Sequence, residues 1–208
     1  MSQPSPARRA RRGALTRESI LHAAQEQAGD SGLESLSSRT LAARLGVTPM
    51  ALYRHVRDMD EIVGALVDEL LGAVGTPDRS VGWRTWLELL AQDLRDLFRD
   101  HPAALGLFTR QPVTTPAARH RLEDAVAVLT AADFPPGEAV RAYAALHTYT
   151  VGFCALEAAR RRSPEETAQL NEAEDPFSVA IRGFVTEEQF LVGLRALVDG
   201  LDSRVGQP

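Results

Sequence analysis

Four arginines, a tyrosine and a histidine fall within one stretch, Leu36 to Arg57 (LSSRTLAARLGVTPMALYRHVR). Arg39, Arg44, Arg54 and Arg57 carry planar guanidinium forks suited to phosphate oxygens and base edges, and the Tyr53 hydroxyl suits a phosphate oxygen. Pro49, Met50 and Ala51 have no side-chain donor, so any base contact they make is apolar, for example with a thymine methyl. Catalytic chemistry is poorly supplied. The five histidines, His22, His55, His101, His120 and His147, show no HExxH or other metal spacing. His101 and His120 lie near Asp100 and Glu123, but no nucleophile elbow or phosphate loop accompanies them. The single Cys154 excludes an internal disulfide and a cysteine-based zinc site.

The arginines need rigid elements to hold them, and the stretch contains the signals for two. Ser37 can cap a first helix on the N–H of Thr40, with Leu36 and Leu41 as a hydrophobic staple. Leu41, Ala42 and Leu45 share its buried face, and Gly46 supplies the left-handed residue that ends it. A second helix starts at once: Thr48 as cap, Pro49 at the first helical position, Val47 and Leu52 as the staple. Val47, Leu52 and Val56 should face inward. That leaves Pro49, Met50, Ala51, Tyr53, Arg54 and His55 for the outer and flanking surfaces, on a helix that fits the major groove. Spacing alone equally allows an ordinary helical hairpin with its arginines in solvent.

The residues Ser-Arg-x-Leu-Ala-x-x-Leu-Gly-Val, followed by Leu-Tyr-x-His-Val, resemble the DNA-binding domain of the tetracycline-repressor-like (TetR) family of bacterial transcription regulators. The match runs from roughly Thr16 to Leu71. The resemblance implies that Ser38, Arg39, Thr48, Pro49, Met50, Ala51, Tyr53, Arg54 and His55 occupy DNA-facing positions. One position departs. The family usually has a phosphate-contacting lysine at the start of the next helix, where this chain has Met59, with Arg57 as the nearest substitute.

The chain's 208 residues allow one medium domain, or a small one attached to a larger one. Its apolar runs are too short for a membrane span, and no apolar segment follows the N-terminal arginines, so a soluble cytoplasmic protein is expected. Net charge is unevenly placed. Residues 1–60 hold nine arginines against six acids, the other 148 hold fourteen against twenty-two, and there is no lysine. A basic front on an acidic body suits a DNA reader, although the excess is small. Residues 1–13 read as a disordered basic arm carrying Arg8, Arg9, Arg11 and Arg12, either solvated or entering a minor groove. Residues 14–75 read as the DNA-binding domain, and residues 76–208 as a ligand-binding and dimerisation domain.

The expected fold is all-α. Thr16 should cap the first helix, and Asp58 and Glu61 should start a fourth that ends at Gly75. In the body, Trp83, Trp86, Leu87, Leu90, Leu94, Leu97 and Phe98 keep a helical spacing up to the break at His101-Pro102. A short helix follows from Ala103 to Arg110. Thr115-Pro116 should start the next, with a stripe of Leu122, Ala125, Val126 and Leu129. Pro135-Pro136 should start another, with Val140, Tyr143, Ala144, His147, Val151, Cys154 and Ala155. Ser163 to Glu166 reads as a capping box, Asn171 to Pro176 as an acidic mobile loop, and Thr186 with Gln189 as the cap of a last helix bearing Phe190, Leu191, Leu194, Leu197, Val198 and Leu201. Gly193, Ala196 and Gly200 would permit close helix approach, either in an internal core or between subunits.

Phe190-Leu191-x-Gly-Leu, with Thr109-Arg110 and Thr150-Val151-Gly152, resembles the family's tetracycline-repressor-type regulatory domain, where paired helices form a dimer interface around small-molecule pockets. That resemblance implies a homodimer and an effector site. Its candidate walls are Trp86, Leu90, Phe108, Thr109 and Arg110, with Tyr143, His147, Thr148 and Phe153, each of which reads more readily as an ordinary core residue. Tetracycline repressors hold a magnesium–drug chelate through a histidine and a glutamate. Here those positions fall on Gly106 and Leu156, with Glu157 one residue late, about 100° around the helix. A different effector, without metal or other cofactor, is expected. The expected activity is that of a repressor that binds a palindromic double-stranded operator as a homodimer and is released by a small molecule. The alternative is a non-DNA-binding helical carrier or an enzyme.

Overall fold

The computed structural model describes residues 15–110, 115–162 and 174–202, with isolated positions between 163 and 173. The arm at residues 1–13 and the capping box at Ser163–Glu166 lie outside the described residues or largely so. Every regular element described is helical. The order is α1 (Arg17–Ser31), a 3-10 turn (Leu33–Ser35), α2 (Ser38–Leu45), α3 (Pro49–Leu52), α4 (Met59–Val74), α5 (Trp83–Asp100), α6 (Pro102–Arg110), α7 (Pro116–Ala131), α8 (Pro136–Arg162), α9 (Pro176–Arg182), a second 3-10 turn (Gly183–Val185) and α10 (Glu187–Asp202).

The N-terminal helices begin and end where local chemistry dictates. Thr16 and Ser37 each form a capping box with the residue three on, Ser19 and Thr40. Gly46 ends α2 at φ 66° and ψ 34°, the left-handed region a side chain resists. Asp58 accepts from the N–H of Glu61 at 2.8 Å, while the Glu61 carboxylate reaches past the cap to the N–H of Arg57. One expectation fails: the Thr48 side chain makes no capping bond, and α3 is instead closed by backbone bonds such as Ala51 N–H to Thr48 O at 2.9 Å. Proline at its first position already sets the backbone there.

Two apolar cores result. The first joins Ile20, Ala24, Leu41, Leu52, Ile62 and Val67 to Leu97 and Phe98 of α5 and to Ala104 and Leu107 of α6, so the N-terminal helices are bedded on the body. The second gathers Trp86, Leu87, Leu129, Leu146, Phe190 and Leu194 from α5, α7, α8 and α10.

One helix is rotated from the expected phase and a second departs from it in its first half. On α7 the buried stripe is Arg121, Asp124, Ala125, Val128 and Leu129, not Leu122 and Val126. On α8 the buried residues are Ala139, Ala142, Leu146, Thr150, Phe153 and Cys154; Val140 and Ala144 are exposed, while Cys154 is buried as expected and Val151 and Ala155 pack against the first core. Both helices bury polar or small residues, so apolar type alone misassigns the face. Pro176, expected to close a loop, opens α9: Asp175 caps it by accepting from the N–H groups of Phe177 and Ser178. Gly193 does serve a close approach, but within the chain. A Cβ there would stand 2.8 Å from Cζ of Tyr149, whose hydroxyl donates to Phe190 O at 2.8 Å. Gly200 faces open space.

Candidate nucleic-acid interface and the cavity behind it

The structure sorts the arginines of the first stretch into two kinds. Arg44 is tied to Glu26 and Asp30 of α1 at 3.3 and 3.1 Å, and Arg57 to Asp58 at 2.9 Å. Hydrogen bonding to Asp58 also raises the Arg57 guanidinium above its ordinary value. Arg39 and Arg54 are exposed and make no ion pair among the described residues. Beside them, Met50 is 74% exposed and Tyr53 is 41% exposed, while Leu52 beneath is fully buried. Thr48, Pro49 and His55 are exposed, and Ser38 and Ala51 are half-buried. Met59, in place of the family's lysine, packs partly buried against the first core. The surface is therefore an apolar tip, Pro49-Met50-Ala51, flanked by two uncommitted guanidiniums and a phenol. Such a set can read methyl groups and grip phosphates or guanine edges.

Behind the first core lies a cavity of about 410 Å³ between α4, α5, α6, α7 and α8. Of the expected wall residues, Phe108, Tyr143 and His147 line it. Trp86, Leu90 and Phe153 do not; they are buried in the second core. Thr148 points to solvent, and the side chains of Thr109 and Arg110 lie outside the described residues. The His147 ring sits 5.8 Å from both Tyr143 and Phe108, nearly parallel to the former at 23°. Its Nδ1 is buried without a hydrogen-bond partner. Burial, and secondarily Arg121, holds His147 below its ordinary pKa, so the ring is neutral at pH 7. Burial likewise raises Tyr143.

Arg121 lines the same cavity and is 4% exposed. Sequence reasoning missed it because Arg119-His120-Arg121 looks like a solvated face. Extending the stripe of Ala125, Val128 and Leu129 back one turn would have found it. Arg121 donates to the carbonyl of Gly75, the residue that ends α4, and to Leu90 O at 3.4 Å. Next to it, buried Asp124 accepts from Thr76 at 2.6 Å and from Arg79. Asp68 of α4 accepts from the N–H of Ala117 at the start of α7 at 2.7 Å. The cavity wall is thus bonded to the helix that carries the N-terminal unit, and α6 bridges α4 and the 3-10 turn of that unit.

A magnesium–drug chelate does not fit these residues. Gly106 offers no ligand, Leu156 is 58% exposed, and Glu157 is committed to Arg95 through two bonds of 3.1 and 2.8 Å. Cys154 is no nucleophile at neutral pH, since burial pushes its thiol up to about 12.

Comparison with known proteins agrees with this arrangement. Residues 20–66 match the family described as bacterial regulatory proteins, tetR family, and residues 76–205 match the tetracyclin repressor-like C-terminal domain. An HTH-type transcriptional regulator of Saccharopolyspora erythraea is 34% identical over 144 residues, 69% of this chain and 61% of that protein. The crystal structure of a possible TetR family regulator from Streptomyces coelicolor A3(2) superposes with a TM-score of 0.74 at 27% identity, covering 90% of this chain and 99% of that one. BioQ, known from Mycobacterium smegmatis and solved with its double-stranded DNA operator, gives a TM-score of 0.66 at 26% identity, covering 91% of this chain and 99% of BioQ. With the two family matches in consecutive order and together spanning most of its length, the chain belongs to the TetR family of bacterial regulatory proteins.

Proposed function

We propose that this protein is a ligand-responsive transcriptional regulator, acting as a repressor. The observation that carries it is the exposed apolar tip of α3 together with Arg39 and Arg54, both exposed and uncommitted. The likeness to BioQ, whose structure holds operator DNA, supports the same use of this surface. Residues 14–75 would form the reading head and residues 76–208 the effector-binding and dimerising body. The DNA contacts are Ser38, Arg39, Thr48, Pro49, Met50, Ala51, Tyr53, Arg54 and His55. Exposed Val140 and Leu156 on α8 and Val192 on α10 support a homodimer built on those helices. A two-fold dimer needs a roughly palindromic operator with half-sites about one helical turn, or a multiple, apart.

Effector in the cavity would act through α4 and α6. Both line or border it, and both share the first core with the reading head. Only a difference in effector affinity between the two head arrangements can drive release. Selection of bound fragments from random duplex DNA tests the reading. Enrichment of one palindromic site is the expected result. Failure to enrich any duplex above background would favour the helical carrier instead.

A further inference from the structure

The cavity's polar groups say which effectors it would take, an inference that rests on the regulator reading only for the word effector. We propose that the cavity binds an organic anion on a flat aromatic or conjugated scaffold, with Arg121 as the residue that holds its charge.

The first support is Arg121 itself. It is 4% exposed, yet no carboxylate lies within ion-pair distance of it among the described residues; Asp93 and Asp124 act on it only from farther off. Its neighbour Asp124 is already taken by Thr76, Arg79 and His120. A buried guanidinium with no carboxylate in direct contact is costly, and such groups are ordinarily paired. Its bonds go only to two backbone carbonyls, of Gly75 and Leu90. A guanidinium has five N–H donors, so three remain for a ligand that enters the cavity it lines. A carboxylate, sulfonate or phenolate can take two of them as a fork.

The second support is independent. The lone pair or N–H at His147 Nδ1 is buried and unpartnered, one turn of α8 from Tyr143. The ring pair and Phe108 offer flat faces to a planar scaffold, and Leu71, Leu94 and Leu122 close the apolar sides. Exposed Arg119 and Glu123 stand on the rim with opposite charges, so they do not set the sign inside. Because Arg121 also holds the carbonyl that ends α4, an anion drawn to it engages the helix leading to the reading head directly.

Two fluorescent probes separate charge from shape. 8-Anilinonaphthalene-1-sulfonate and N-phenyl-1-naphthylamine share their ring system and differ by the sulfonate. Titrated into the full chain, the sulfonate should bind at least about tenfold tighter, the scale of one charge-assisted bond pair. Arg121→Gln should bring the ratio of the two affinities down to about one. Arg121→Lys, which keeps the charge but not the fork, should retain part of the preference. Should Arg121→Gln unfold, as judged by far-UV circular dichroism, the wild-type ratio and Arg121→Lys decide the matter. Equal affinities for the two probes in the wild type overturn the proposal, as does a preference that survives Arg121→Gln unchanged. Neither result touches DNA binding. Conversely, a chain that shows the preference but selects no duplex keeps its anion site and loses the regulator reading.

Discussion

Breaking the Arg95–Glu157 pair should be among the most damaging single changes in the body. The two side chains are 8% and 13% exposed and join α5 to α8 at 2.8 Å. Arg95→Met leaves the Glu157 carboxylate in the interior without a partner, and removing one member of a buried pair costs about 3–5 kcal/mol. Glu157→Leu should cost less, because the guanidinium keeps its place over Phe190 at 4.9 Å and Phe153 at 5.8 Å. Ring contacts of this kind retain about 0.5–2 kcal/mol. In the double variant no charge is stranded, and apolar replacement of a buried pair ranges from neutral to stabilising by about 1–4 kcal/mol. The double variant should therefore fall within about 1 kcal/mol of wild type or above it, with a coupling of at least about 3 kcal/mol between the sites. Urea unfolding at one fixed protein concentration measures this, read from midpoints at constant slope. Two singles that each cost under about 1 kcal/mol, or that simply add, would show that neither change strands a buried charge.

Gly193→Ala should destabilise by about 1–3 kcal/mol, since its methyl would collide with the Tyr149 ring, and Tyr149→Phe should relieve part of that in the same unfolding assay. His147, held below its ordinary value by burial, binds fewer protons folded than unfolded. Its contribution to stability is present above pH ~6.5 and lost as pH falls below it, so His147→Phe should flatten the melting temperature against pH in that window. Deleting residues 1–12, with four arginines, should weaken DNA binding and reduce its salt dependence. Unchanged affinity and slope would assign that arm to solvent.

The reading head was legible in the sequence because its signals are local. Thr16, Ser37, Gly46 and Asp58 each act within three or four residues, and the chain obeys them. Which arginines are uncommitted was not legible. Arg44 and Arg39 look alike in the sequence, and only the approach of Glu26 and Asp30 from α1 separates them. The cavity was half legible. Phe108, Tyr143 and His147 line it, but Arg121 was hidden because a buried charge and a solvated one have the same letter. Trp86, Leu90 and Phe153 shared the right periodicity and proved to pack the neighbouring core. Helix α9 was missed because Phe177, Val179 and Phe184 in and after it are exposed and form no buried stripe to detect.

On the proposed function, the uncommitted side chains around α3 grip DNA while the paired ones brace the fold. Fluorescence anisotropy on the selected duplex tests it with three variants. Arg39→Ala and Tyr53→Ala should each weaken binding at least about tenfold, as expected when two subunits each lose a contact worth about 1–3 kcal/mol. Arg44→Ala, whose partners are Glu26 and Asp30, should stay within about threefold, the measure of a surface ion pair. Wild-type affinity in both Arg39→Ala and Tyr53→Ala, or an equal loss in Arg44→Ala, would place the DNA-gripping surface elsewhere.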